Sequence, residues 1–307
     1  MFLDHSIFSQ SPIKHQKWGN FWAGSTLVWR KGALMLIVVV FCGASLPVMA
    51  ADWRCGTDII AGDAQTLLST DRGSVWRDVQ LNIEAIDAFT TAKLPDKSFR
   101  LADIAFVPEY EDAAMAWLEL ASANKVSITP LAEQPDFLGR MPVRIQDEGL
   151  GDWRAELLAA GLVMLVPESG QDMSELIGIE DSAIKNQSGI WSAPGPETAY
   201  YVRAHDAGAE NIPTARDAIG RFAVIDGTIR SIEHQEWRSY LNFGSNWRED
   251  FTIALDATLR DALANGEDFQ DILQDWVGQE IRVRGVIENR GGPYITLENP
   301  FWLCLAK

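Results

Sequence analysis

Two arginines stand in acid-rich motifs. Arg100 lies in residues 99–109, FRLADIAFVPE, which also carry Asp103 and Glu109. Arg140 closes residues 136–140, DFLGR. A guanidinium is a planar fork that pairs two oxygens of a carboxylate or phosphate at once. Both side chains therefore suit contact with an anionic ligand. They suit equally an ion pair within the chain, where Asp and Glu number 43 against 26 Lys and Arg. Asp136 and Gly139 also have a local use, one capping a turn and the other supplying a positive φ. A second set of candidates is Arg238, Tyr240, Arg282 and Arg284. Little else reads as catalytic: His205 and His234 lie far apart without metal-ligand spacing, and no Ser-His-Asp set, phosphate loop or zinc spacing is visible.

These residues need elements to hold them. Residues 79–86 alternate apolar and polar side chains, the period of a half-buried strand. Residues 99–104, 125–129 and 141–145 read as further strands. Residues 109–123 place Ala113, Ala114, Trp117, Leu118 and Ala121 on one helical stripe. Asp152 suits the N-cap of a helix over 153–158, which Gly161 ends. Residues 192–217 read as a connector rich in proline and glycine, with room for a short ordered element at 200–202. Beyond it come three strands (222–232, 237–243, 251–256), a short helix (257–264) and two strands (279–288, 294–297). That is the element order of a five-stranded OB barrel. Alternation places Arg238, Tyr240, Arg282 and Arg284 on its outer face, a basic and aromatic patch of the kind that takes oligonucleotides or oligosaccharides. The competing reading pairs these arginines with Glu249, Asp250 and Glu288.

The N-terminus bears on compartment. Residues 33–47 form an apolar run after Arg30 and Lys31, ending at Val48, Met49 and Ala50. This is the pattern of a secretory signal peptide over residues 1–50, and implies an exported, periplasmic or secreted protein. An uncleaved anchor is the other reading, although a span normally needs ~20 apolar residues. The formal charge is −17, and the leader holds more bases than acids, so the rest is more acidic still. Such a charge repels polyphosphates and disfavours strong nonspecific nucleic-acid binding. Cys55 and Cys304 lie outside the leader. In an oxidising compartment they could form one disulfide; alternatively Cys304 is a buried thiol acting as a small hydrophobe.

Residues 52–191 resemble the staphylococcal nuclease, or thermonuclease-like, family. FRL at 99–101, continuing to Ile104, looks like the family's arginine-bearing strand. DFLGR matches its Asp-x-x-Gly-Arg motif. WRAELLAAGLVMLV at 153–166 looks like the helix and strand that follow, and SGIW at 188–191 resembles the Gly-Leu-Trp that closes many bacterial members. Residues 218–307 resemble the C-terminal extension of some secreted bacterial members, through FAVIDGTI (222–229), YLNFG (240–244), Asp250-Phe251, RVRG (282–285) and Gly292-Pro293. The resemblance implies an OB-type barrel with packed helices for the first segment. The chain as a whole is expected to be a β-rich α+β protein of two small OB-type barrels, at 52–191 and 218–307, joined by 192–217.

The family's chemistry is calcium-dependent phosphodiester hydrolysis. Carboxylates hold the hard cation, a glutamate activates water, and two arginines stabilise charge on the phosphoryl oxygens. Arg100 and Arg140 fall on the two arginines. The metal aspartates, however, fall on Ala105 and Phe89, and the general base falls on Pro108. Asp87 and Asp103 are weak substitutes as metal ligands, and Glu109 as base, because a one-residue shift in a strand turns a side chain to the other face. The expectation is a non-catalytic binding or scaffold module without a cofactor, its arginines keeping contact with an anionic ligand such as an oligonucleotide. One alternative is a calcium-dependent nuclease or phosphodiesterase with a site rearranged around Glu109, Asp103 or Asp87. Another is a structural cell-envelope protein that binds other proteins.

Overall fold

The structure, a computed structural model, describes residues 53–56, 75–192, 195, 198–205, 213–246, 248–264 and 269–307. The signal-peptide reading of residues 1–50 lies outside them. No helix among the described residues is long and apolar enough to cross a membrane.

The first strands are β1 (Trp53–Cys55), β2 (Trp76–Val79), β3 (Asn82–Ala85), β4 (Ala88–Thr90), β5 (Ser98–Leu101) and β6 (Ile104–Phe106). Then come α1 (Glu111–Ala121), β7 (Val126–Pro130), β8 (Arg140–Asp147), β9 (Gly151–Asp152), α2 (Trp153–Ala159), β10 (Val163–Leu165) and α3 (Ser174–Lys185). Of residues 79–86, read as one strand, Val79 ends β2 and Asn82–Ala85 form β3. Just before that stretch, Asp78 sits at a φ of 53° where the β2 register slips, and the run from β2 into β3 bends. β2 pairs with β7 and β3 with β4. The sheet β2-β7-β8-β5-β4-β3 curls into a half-barrel, with β5 and β8 parallel. Its inner face buries Phe89, Phe99, Ile128, Val143 and Ile145 completely. α1 turns Ala114, Leu118 and Ala121 inward but leaves Ala113, expected on the same stripe, exposed, and Trp117 meets Trp153 of α2 edge to face at 5.6 Å. Asp152 caps α2 by accepting the Arg154 N–H at 3.0 Å, a contact of about 1 kcal/mol.

The second run comprises β11 (Tyr201–Arg203), β12 (Phe222–Thr228), β13 (Ser231–His234), β14 (Arg238–Asn242), β15 (Thr252–Asp256), α4 (Ala257–Ala264) and α5 (Phe269–Trp276). It ends with β16 (Glu280–Val286), β17 (Glu288–Asn289), β18 (Pro293–Thr296) and β19 (Leu303–Ala306). The pairing repeats that of the first run. A bent first stretch (β12, β13) is followed antiparallel by β14 and β15, β15 runs parallel to β18, and β16 returns to β12. In both runs helices lie between the third and fourth strands. The molecule is thus β-rich α+β, with five α-helices among the described residues.

β1, at the start of residues 52–191, pairs with β19 at the C-terminal end, in the sheet β1-β19-β16-β12-β11. Cys55 lies opposite Cys304, with Cα atoms 4.0 Å apart, and the two form a disulfide. Trp53, Cys55 and Cys304 all join the core of the first run. Within the connector 192–217, an ordered element lies close to the 200–202 stretch. β11 adds a parallel strand to β12, and Ala215 and Ala218 are fully buried in the second core.

Candidate functional site

The parallel pairing of β5 and β8 sets Ser98 opposite Arg140 and Arg100 opposite Pro142. Two-residue periodicity then puts both arginines on one side of the sheet. Asp136 sits between them. One of its oxygens accepts Arg100 Nε at 3.1 Å and Arg140 Nε at 3.0 Å. The other accepts the backbone N–H groups of Leu138 and Arg140 at 3.0 and 2.9 Å, which closes the DFLGR turn around Gly139 at a φ of 78°. Burial works against the Asp136 charge, but the Arg140 N–H, its guanidinium and the Leu138 N–H outweigh it. They hold the carboxyl below its usual range.

Each arginine has a second acid. Glu168 grips Arg100 through two parallel bonds, Nη1 to Oε1 at 2.6 Å and Nη2 to Oε2 at 2.8 Å. That hydrogen bonding is the largest influence raising the Arg100 pKa. Arg140 Nη1 pairs with the carboxylate of Asp87. The arginine side chains are only 17% and 14% exposed. An external anion reaches Arg100 only by displacing a bidentate carboxylate.

Asp103 explains how Glu168 is aimed. Its backbone adopts a φ of 63°, which splits the strand expected over 99–104 and sends β6 off to pair with β10. The fully buried side chain accepts the N–H groups of Glu168 and Ser169 at 2.9 and 2.8 Å, the Ser169 hydroxyl at 2.9 Å and Arg154 Nη1 at 2.7 Å. These bonds hang the Glu168–Ser169 backbone from Asp103. The Asp103 N–H in turn donates to Glu168 Oε1 at 3.2 Å. Asp103 as a metal ligand is therefore overturned, because its lone pairs are engaged inside the protein. Asp87 is likewise turned toward Arg140. Among the described residues no group of three or more His, Cys, Asp and Glu is placed to hold a metal ion.

Glu109 is also displaced from the role considered for it. It lies in the 3-10 turn Pro108–Tyr110, exposed, and accepts the Tyr200 hydroxyl at 2.6 Å. That bond is the main reason its carboxyl sits below the usual range. No ion pair joins it to Arg100 or Arg140. Phe89, at one expected metal position, is fully buried opposite Phe99. Ala105, at the other, lies on β6 opposite Met164.

The second set of candidates divides. Arg238 and Tyr240 lie half-buried on one face of β14, where Arg238 reaches Tyr294 and Arg290 stacks on the Tyr294 ring at 4.7 Å. Arg282 and Arg284 do not face out. They are 2% and 0% exposed. Arg282 donates Nε and Nη2 to Asp226 at 2.7 and 2.8 Å, lies 3.1 Å from Asp181, and stacks on Trp53 at 4.6 Å. Arg284 pairs with Glu180. The reason is that α3 covers the supposed outer face of β16, so alternation there separates two interiors. The competing partners Glu249, Asp250 and Glu288 are not used by either. Asp226, Glu168, Glu180, Asp181 and Arg154 escaped the sequence reading. Two adjacent acids inside the apolar helix SELIGIEDSAIK were the available signal.

No protein-family model matches the chain, and no curated protein matches it.

Proposed function

We propose that the chain is an exported, non-catalytic thermonuclease-like protein that serves as a binding scaffold, built from two OB-type barrels. The pairing order supports the barrels: in each run the third strand lies parallel to the fifth and the fourth closes on a bent first stretch. The observation that carries the functional reading is the self-neutralised arginine pair. Arg100 and Arg140 share Asp136 and are each engaged by a further carboxylate. Hydrolysis needs guanidiniums free to meet charge developing on the substrate, and a base within hydrogen-bond reach of the attacking water. Here Glu168 occupies the Nη fork of Arg100, and Glu109 is tied to Tyr200. On this reading the two arginines fasten loops instead of meeting a substrate.

The test is incubation of the purified protein with single-stranded DNA and calcium, beside an Arg140→Ala variant and a chelator control. No cleavage above background is expected in any arm. Cleavage lost both with chelator and in Arg140→Ala would overturn the reading in favour of a rearranged calcium-dependent nuclease.

A further inference from the structure

A cleft of about 560 Å³ opens in the second run, lined by His205, Arg230, Ser231, Phe243, Ser245 and Asp250. That volume falls in the range of small-molecule sites, ~300–1,000 Å³. The cavity of about 190 Å³ beside Glu168 is smaller, and its Glu168 already serves Arg100.

The chemistry of the larger cleft is specific. Arg230 is exposed and makes no ion pair or side-chain hydrogen bond among the described residues. In a chain of charge −17, a cation beside a cleft with no carboxylate partner among the described residues is available to an anion. Asp250 lines the same cleft, and the two charges do not bridge. The Asp250 carboxylate is instead fixed by the Asn246 N–H at 2.7 Å. It packs so closely on Gly244 that a Cβ there would lie 1.9 Å from Asp250 Oδ2. Glycine at 244 is what lets the carboxylate sit at this wall. Ser231 and Ser245 add hydroxyls that both donate and accept. His205, on the cleft wall, carries a buried Nδ1 with no hydrogen-bond partner among the described residues. Phe243, at 1% exposure, supplies an apolar floor.

We propose that this cleft is a ligand site for a small hydroxylated anion. Its carboxylate or phosphate pairs with Arg230, its hydroxyls donate to Asp250 and bond the two serines, and its carbon skeleton rests toward Phe243. The residues are separate from the Arg100–Arg140 cluster, so a nuclease result and a failed titration are independent outcomes.

The experiment is an amide NMR titration of the purified protein with gluconate, glycerol 3-phosphate and glycerol. Gluconate and glycerol 3-phosphate separate the carboxylate from the phosphate source, and glycerol controls for hydroxyls alone. Shifts at Ser231, Gly244 and Ser245 are expected with at least one anion and not with glycerol. Arg230→Gln, an exposed substitution that breaks no ion pair or side-chain hydrogen bond among the described residues, is expected to weaken binding at least about tenfold, the loss of one charge-assisted contact. Equal shifts with glycerol, unchanged affinity in Arg230→Gln, or no shift with either anion to about 10 mM would each overturn the proposal.

Discussion

Replacing Glu180 with glutamine isolates the buried charge pair beneath α3. Glu180 and Arg284 each have 0% side-chain exposure. Glu180 Oε1 also accepts the Leu165 N–H at 2.8 Å. Glutamine keeps the shape and an oxygen for Leu165 but removes the charge. Arg284 is then left with the Cys304 Sγ at 3.8 Å and no carboxylate. Breaking a buried pair on one side costs about 3–5 kcal/mol. At about 2–4 °C per kcal/mol for a chain of this size, the melting midpoint falls by roughly 6–20 °C. Adding Arg284→Met removes the stranded charge, and most of the loss returns, because apolar replacements of buried pairs are often neutral or better. Urea unfolding of the wild type, both single variants and the double at pH 7 measures the coupling. Raising the salt leaves it unchanged, since neither group meets solvent. A Glu180→Gln variant within about 0.5 kcal/mol of wild type, the usual result at a surface site, would refute the reasoning. So would a double variant whose loss equals the sum of the singles.

Acid should act through Asp136. Its native pKa lies below the ordinary value of about 3.9, so the unfolded chain takes up the proton first as pH falls. The contribution is complete above about pH 4 and is lost as pH drops through the depressed native value; Asp181 acts with the same sign. Asp136→Asn is therefore expected to cost about 1.5–3 kcal/mol at pH 7 and progressively less below pH ~4, by urea titration; a gap that widens on acidification contradicts the assignment. The disulfide closes a loop of sequence separation 249. Chain entropy puts its loss at about 5 kcal/mol, so Cys55→Ala with Cys304→Ala should lower the urea midpoint sharply, and a change under about 1 kcal/mol would count against the estimate.

Local rules carried the sequence reading well where one face of an element meets water. The stripe at Ala114, Leu118 and Ala121 and the Asp152 cap followed from periodicity and capping chemistry alone. They failed where both faces are covered. β16 alternates like a half-buried strand, yet its second face lies under α3, and that contact is set by residues far away in sequence. The split at Asp103 was hidden for a related reason. An aspartate with positive φ is held there by Glu168, Ser169 and Arg154, none of them neighbours in sequence. In the arginine cluster the DFLGR turn was legible because Asp136 binds its own backbone. Glu168 was not, because only folding brings it to Arg100.

The bond between Cys55 and Cys304 gives the described chain the topology of a ring. Each residue from 56 to 303 lies inside a covalently closed circuit. A single proteolytic cut between those cysteines opens the circuit without releasing a fragment, and the two pieces stay on one body until the bridge is reduced. Two cuts are needed to free a segment. Damage at one exposed loop between the two cysteines therefore leaves a single covalent body, and its trace appears only on a reducing gel.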